Sequence, residues 1–427
     1  MLGASLGLAV FLVLQADAPE VQVEETAPRR NPVRAELGAR LELRSGQPQG
    51  TSGTSLTDLE IDPVLAVRLP FRLGSLTLSY EPRLFILVRE YPPQEAQTAY
   101  YFNRGRLVLD TTPGPRWRVY VEGHFAFGKN DFLPLSTVAT PVPGTGAPPV
   151  TPGTTPTAPT PAPGPSTLPD TRFLEIIDLD GSAGFVHSLS PRLDWRLSGG
   201  YLYYGGANAE VRATLPLQKG PHGSTGLQWS ASRADTLAFS VDGSNLRFSS
   251  GPESTVATLS TTWTRAWSRS VGTDLLVGIG GIHATSPSTP ANNSLYPVGG
   301  LGLRYGWASR FVTWGNRLTF LAAPSPDRLT GAVTERLSAA LESTLSPVKQ
   351  LVLDVTGTAS RSADGLQRDI RLEGKATYLL GPQFGISLGG RAAWLEGSTL
   401  LGPQGFGWLV FLSIGTSAGT TLFGDSG

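Results

Sequence analysis

The chain has 427 residues, with 34 basic side chains against 34 acidic ones, which excludes an electrostatic nucleic-acid binder. Charged residues are only 16% of the total, low for a soluble protein of this length, and the absence of cysteine rules out disulfides and thiolate metal sites. Gly 51 and Pro 35 suit a chain with many tight turns.

The first residues, Met1 to Gln15, form an apolar run of signal-peptide length, too short to span a bilayer, with cleavage expected after Ala16. No Lys or Arg precedes this run, which departs from the usual leader pattern and points to a start upstream. Residues 17–32 are expected to form a periplasmic N-terminal segment.

From Val33 the dominant period is two. Val33, Ala35, Leu37, Ala39, Leu41 and Leu43 alternate with Arg34, Glu36, Gly38, Arg40 and Glu42. Such a strand sets one face against apolar surroundings and the other against water. Leu59, Ile61, Leu65 and Val67 repeat the pattern against Glu60, Asp62 and Arg68. Leu76, Leu78, Tyr80, Leu84, Ile86 and Val88 oppose Glu81, Arg83 and Arg89; Trp117, Val119, Val121 and Phe125 oppose Arg118, Tyr120 and Glu122. Further on, Ile370, Leu372 and Ala376 oppose Arg371, Glu373 and Lys375. Pro63, Pro82 and Pro297 fall inside these segments and are read as bulges or strand ends. Val333 to Leu345 also matches helical spacing, but its neighbours favour a strand.

Many segments run to ten or more residues. That is about twice the usual soluble strand and close to the roughly 9–11 residues a tilted strand needs to cross a bilayer. Short turns near 70–74, 112–115, 189–192, 233–235, 268–271, 308–310, 345–348 and 381–383 alternate with connections near 44–56, 91–101, 129–171, 205–223, 285–294 and 397–404, most of them longer. Further connections are expected at 249–253, 324–329 and 361–366. The expected fold is an all-β, transmembrane, antiparallel up-and-down β-barrel over residues 33–416, with about 18 strands (16 as the alternative) and both ends periplasmic. Residues 134–169 hold 12 prolines among Thr, Ala and Gly and form an outer loop that cannot bury a core. Residues 417–427 read as a C-terminal tail.

The inward face is expected to line water, because unpaired charge toward lipid costs roughly 2–4 kcal/mol at mid-bilayer. Its candidate lumen-lining residues are Arg34, Glu36, Arg40, Glu42, Glu60, Asp62, Arg68, Glu81, Arg83, Arg118, Tyr120, Glu122, Arg371 and Glu373. Charge of both signs implies little ion selectivity. In later strands this face turns small, through Thr258, Ser260, Thr262, Gly278, Gly280, Gly300, Gly302, Ser387 and Gly389, which would leave the bore open.

Catalytic signals are weak. Gly385-Ile386-Ser387-Leu388-Gly389 matches a nucleophile-elbow pattern but lies inside an alternating strand rather than at a strand–helix turn. His124, His187, His222 and His283 show no ligand spacing; Asp178 and Asp180 would suit a Ca²⁺ ion, with solvated lumen charge as the plainer reading. No catalytic set, metal site or cofactor motif is expected.

The pattern resembles the bacterial outer-membrane porin-like barrels over nearly all of residues 33–416. The run Leu78-Ser79-Tyr80-Glu81-Pro82-Arg83-Leu84 is similar to the arginine-bearing strands of porin-type barrels that export polysaccharides. That resemblance implies the outer membrane of a Gram-negative bacterium and a non-enzymatic channel for polar solutes or an exported polymer, most readily a polysaccharide. It also implies a periplasmic polysaccharide-export protein as partner. The apolar stretch Phe406, Trp408, Val410, Leu412 and Ile414, with Phe423 beyond, resembles the C-terminal strand read by the barrel assembly machinery. Outer-membrane lipids and lipopolysaccharide would surround the barrel. The alternatives are a structural or adhesive barrel acting through its outer loops, a barrel-embedded hydrolase and a soluble periplasmic sandwich.

Overall fold

A computed structural model describes residues 33–47, 55–91, 99–131, 173–286, 289–309, 312–326, 333–362, 368–381, 383–396 and 405–423. The leader, residues 17–32 and the proline-rich segment 134–169 lie outside them.

The described residues form one antiparallel sheet of nineteen segments that closes on itself. In chain order these are β1 (Val33–Gln47), β2 (Ser55–Phe71), β3 (Gly74–Tyr80), β4 (Arg83–Tyr91), β5 (Ala99–Gly114), β6 (Trp117–Asp131), β7 (Phe173–Ser190), β8 (Leu193–Gly206), β9 (Gln218–Ser230) and β10 (Asp235–Phe248). There follow β11 (Glu253–Ala266), β12 (Val271–Ser286), β13 (Thr289–Ala308), β14 (Thr313–Pro326), β15 (Val333–Val348), β16 (Leu351–Ser362), β17 (Arg368–Gly381), β18 (Phe384–Glu396) and β19 (Gly405–Phe423). A short helix, α1 (Ala209–Thr214), sits between β8 and β9. β1 pairs with both β2 and β19, so no edge remains.

β3 and β4 are two halves of one stave. Both pair with β2 on one side and β5 on the other, so the barrel has 18 staves, as the alternation implied. The break falls at Glu81-Pro82. Leu65 pairs with Tyr80 and Ile61 with Leu84, which puts Pro63 directly opposite Pro82. Two missing N–H donors thus coincide at one rung instead of damaging two. The Glu81 N–H still reaches the Arg104 carbonyl at 2.7 Å, and on the outward side Tyr80 Oη donates to Asn103 Oδ1 at 2.6 Å. Pro297 lies where β13 extends past its ladder with β14, which begins at Gly299. Residues 333–345, ambiguous by spacing, are strand.

Each strand turns one face outward. Leu259, Val277 and Leu388 are 56%, 61% and 64% exposed, the mark of a surface made for lipid rather than water. Tryptophans gather at the short-turn end of this face, in Trp117, Trp195, Trp229, Trp263, Trp307 and Trp314, with Tyr101, Trp394 and Trp408 toward the other end. From Trp117 to Phe127 the strand advances about 33 Å, or about 25 Å along the normal at the usual tilt, the height of an outer-membrane apolar band.

Three boundaries differ from expectation. β19 runs to Phe423, with Thr421 paired to Arg34, so residues 417–423 are strand and not tail; Ser417, Thr420 and Thr421 are polar, yet their backbone completes the seam. The connection expected at 285–294 shrinks to residues 287–288, because β12 and β13 continue through Ser286 and Thr289. Hydrogen-bonded strand can stand above the apolar band with polar side chains, which alternation of hydrophobicity does not reveal. α1 was not expected at all.

The lipid face and the inner wall should respond oppositely to charge. Leu259→Arg is expected to destabilise the barrel by about 2–4 kcal/mol and its neighbour Thr258→Arg by less than about 1 kcal/mol, measured by urea unfolding in lipid vesicles.

Candidate functional site

The inner wall is the one continuous surface on which this fold places chemistry. Its first half, from β17 through the seam to β6, is charged. Arg40 binds Asp62 at 2.5 Å, Glu60 at 3.2 Å and Glu42 at 3.4 Å. Arg44 binds Asp58 at 2.5 Å and Glu60 at 3.0 Å, and Arg83 stands 3.6 Å from Glu60 and 3.8 Å from Asp62. Arg391 joins Glu373 on β17, at 3.0 Å, to Glu42 on β1, at 3.2 Å, with its guanidinium 4.4 Å from the Phe411 ring centroid on β19. The network therefore crosses the closing seam by side chains as well as by backbone.

These groups are deeply covered: Glu42, Arg44, Asp58 and Glu60 are no more than 2% exposed. Buried charges persist only when each finds opposite charge and hydrogen bonds, and here each carboxylate named has a guanidinium partner. Around the wall, Arg104 pairs with Glu81 at 3.0 Å and Arg106 with Glu122 at 2.6 Å, while Arg118 grips Asp110 with two nitrogens at 2.9 and 2.6 Å.

Of the fourteen expected lining residues, the structure gathers Arg40, Glu42, Glu60, Asp62, Arg83 and Glu373 into this one network. Glu81, Arg118 and Glu122 take part in separate pairs, and Arg371 binds Asp369 at 3.1 Å. Arg34, Glu36 and Arg68 lie at the short-turn end, Arg34 directly across from Arg68. Tyr120 lies flat: an added Cβ at Gly184 would meet its hydroxyl at 2.5 Å. Arg44 and Asp58 were not among the expected lining residues although they continue the parity of Arg40 and Asp62, and Arg391, which alternation puts on the polar face with Ser387 and Gly389, was not singled out either.

The other half, β7 to β16, carries more small and hydroxyl side chains, with charges such as Asp178, Arg196, Asp242, Asp274, Arg336 and Asp354 interspersed. One row runs Gly184, Ser198, Ser224, Asp242, Thr258, Gly280, and the next Val186, Arg196, Gly226, Ser240, Ser260, Gly278. Ser198 and Ser224 hydroxyls lie 2.7 Å apart and Ser240 and Ser260 hydroxyls 2.8 Å apart. Not every small residue leaves space. The Gly389 position is filled by the Phe411 ring, 2.4 Å from where a Cβ would stand, and His222 lies over Gly200 to reach Asp180 at 3.1 Å. Glycine here lets a neighbour lie against the wall instead of projecting into the bore.

His124 stands 3.2 Å from Asp178, so the two aspartates weighed for Ca²⁺ each face an imidazole. Among the described residues no cluster of three or more His, Cys, Asp or Glu suits a metal ion. Ser387 shares a hydrogen bond with Thr377 at 2.8 Å inside β18, which is a strand and not an elbow.

Toward the long-loop end the wall becomes apolar. Phe85, Tyr100, Phe102, Ala126, Leu174, Ile176 and Tyr204 pack together with Leu215, which follows α1 and is 1% exposed. Asn208 caps α1 by accepting from the Val211 N–H at 2.9 Å, and Arg212 holds the Gly206 and Ala207 carbonyls at 2.9 and 3.1 Å. The connection is thereby folded against the inside of β7 and β8.

The model of the EpsX exopolysaccharide export family matches residues 32–401. The chain belongs to that family. Its barrel is a porin-like channel of the Gram-negative outer membrane and not an enzyme. No curated protein matches the chain. Among solved structures it is similar to the outer membrane protein OpdK from Pseudomonas aeruginosa, at 10% identity and a TM-score of 0.46, over 92% of this chain and 100% of that one. It is also similar to OccAB4 from Acinetobacter baumannii, at 9% identity and a TM-score of 0.47, over 92% of this chain and 99% of that one.

The seam-crossing ion pair should be strongly coupled. Arg391→Leu is expected to cost about 3 kcal/mol by removing the guanidinium partner of Glu373 and leaving Glu42 with Arg40, and adding Glu42→Gln should recover part of that loss. Chemical unfolding of the single and double variants measures the non-additivity.

Proposed function

We propose that the barrel conducts an exported polysaccharide through the outer membrane. The observation that carries this reading is the division of the inner wall. One side carries rows of hydroxyls and glycines in which Arg196 and Asp242 are the charged members, and it faces a side whose charges satisfy one another. Sugar hydroxyls can exchange hydrogen bonds with Ser198, Ser224, Ser240, Thr258 and Ser260 at little cost. The ion network offers few unpaired charges that would hold a polymer fast, and conduction needs binding weak enough to release.

The arrangement also fits a polymer better than a metal ion or a single small anion, because weak contacts repeat along the staves and around several strands. The proposed partners follow from position. A periplasmic polysaccharide-export protein would deliver the chain at the short-turn mouth, lipopolysaccharide would surround the outer rim, and β19 would present its apolar face to the barrel assembly machinery.

A second reading rests on the inward apolar cluster around Phe85 and Leu215, which narrows one side of the outer mouth. In that reading the barrel is structural or adhesive, with a bore too restricted to conduct. Planar-bilayer recording separates the two. The export reading expects a large, weakly selective conductance that is interrupted by maltohexaose; a folded barrel with no conductance would sink it and favour the second.

Removal of hydroxyls should weaken sugar contact without widening the bore. Ser240→Ala with Ser260→Ala is expected to leave KCl conductance within about a tenth of its value. The same change should raise the half-blocking concentration of maltohexaose about threefold, the scale of one or two weak hydrogen bonds in water.

A further inference from the structure

The short turns of the barrel carry charge of one sign. Among the described residues of the short turns are six cations and no carboxylate: Arg72 (72–73), Arg116 (115–116), Arg192 (191–192), Arg233 (231–234), Arg269 (267–270) and Lys349 (349–350). In the sequence, the longer stretches between strands hold five carboxylates (Glu95, Asp170, Glu210, Asp327, Asp364) against three arginines (Arg172, Arg212, Arg328). Over the whole chain the charges cancel, so the asymmetry is one of placement.

All six cations are exposed, and none has a carboxylate within ion-pair distance among the described residues. Each occupies a different hairpin turn. Hairpins around a barrel recur about every 12 Å, from two strand spacings of roughly 4.8 Å on a tilt of about 40°. The result is a broken ring of single cations encircling the periplasmic mouth.

Their depth decides what they meet. Trp117 follows Arg116 directly, Trp195 lies three residues after Arg192, Trp229 four before Arg233, and Trp267 two before Arg269. Trp117, Trp229 and Trp267 are 41%, 47% and 56% exposed on the lipid face, and Arg265 stacks on Trp267 at 4.3 Å. Indole rings of a barrel girdle sit at headgroup level. One to four residues of tilted strand then place the cations about 3–10 Å beyond the rings, among the phosphates of the periplasmic leaflet. Turns of two to four residues do not stand clear of that layer, so a soluble acidic partner would reach them only by displacing lipid.

The geometry points to a phospholipid-binding collar, in which the ring of turn cations recruits anionic headgroups of the periplasmic leaflet around the barrel mouth. Guanidinium and ammonium groups beside phosphate gain charge-assisted hydrogen bonds that a zwitterionic headgroup offers less freely. The collar fixes the depth of the periplasmic rim in the membrane, and it acts whether or not a polysaccharide passes through the bore.

The girdle tryptophans report on it directly. The purified barrel, reconstituted in phosphatidylcholine vesicles, is titrated with brominated phosphatidylglycerol or brominated phosphatidylcholine, and tryptophan quenching gives the relative association constants of the two lipids. The expected preference for phosphatidylglycerol is about fivefold in 0.05 M NaCl. It should fall toward one in 0.5 M NaCl, where exposed charges are screened, without any change in the protein. The variant R72Q/R116Q/R192Q/R233Q/R269Q/K349Q, checked for heat-modifiable migration, should show no preference at either salt concentration. Equal quenching by the two lipids around the unaltered barrel, or a preference that survives both salt and the sixfold substitution, would overturn the collar. The first of these results would leave the ring facing water, as a surface for an acidic periplasmic protein.

Discussion

A strand in lipid has no water to satisfy its N–H and C=O groups, and that constraint organises this molecule from its first strand to its last. Closure of β1 on β19 removes the edge, and it extends β19 through polar residues that contribute nothing to the apolar face. Under the same constraint prolines are tolerable only where they do least harm. Pro63 and Pro82 share one rung, so the ladder lapses once. The lapse is flanked inside by Arg40, Asp62, Arg83, Glu81 and Arg104, and outside by the Tyr80–Asn103 hydrogen bond. Side chains hold the strands together where backbone bonds are missing. The same set of ion pairs, through Arg391 and Glu42, reinforces the seam where the barrel closes.

Those ion pairs also shape the bore. A guanidinium that projects freely into a channel acts as a fixed charge and sets ion selectivity, whereas one bound to a carboxylate across the sheet lies close to the wall and contributes little net field. Flat-lying neighbours over Gly184, Gly200 and Gly389 have the same geometric effect by a different route. Charge pairing and glycine placement together convert a wall rich in long side chains into a comparatively smooth one. If the channel passes a polymer, as proposed, that smoothness would matter more than any single binding contact.

The fold was largely legible because the period-two signal is repeated in nearly every strand and its phase cannot slip by one residue without turning charge toward lipid. Stave number, the placement of the short turns and the rim at which β1 begins and β19 ends all follow from that repetition. The inner wall was legible only as a parity: alternation places Arg40 and Glu60 on one face, but which arginine meets which carboxylate depends on the stagger between strands. Arg391 and Glu42 are 349 residues apart, and no local pattern joins them. The inward apolar cluster was missed for a different reason. Leu84-Phe85-Ile86-Leu87-Val88 is apolar on both faces, and the outward set alone accounts for the alternation. The unbroken run was itself the available sign, since a strand apolar on both faces is covered on both. α1 is six residues long, with the Asn208 cap as its main local cue.

That cluster bears on how the channel is arranged along its axis. Arg44 of the ion network lies 5.4 Å from the centroid of the Phe85 ring, so the charged wall and the apolar patch are contiguous and not separate zones. A solute rising from the short-turn mouth first meets paired charges and hydroxyls, then on the β4 to β8 side an apolar surface onto which Leu215 is folded. Apolar surface does not bond sugar hydroxyls, and a narrow apolar passage resists wetting by ions. Contact therefore weakens toward the exit on that side. Under the export function proposed above, weak contact near the exit would limit retention there, as a wall that itself supplies no energy requires.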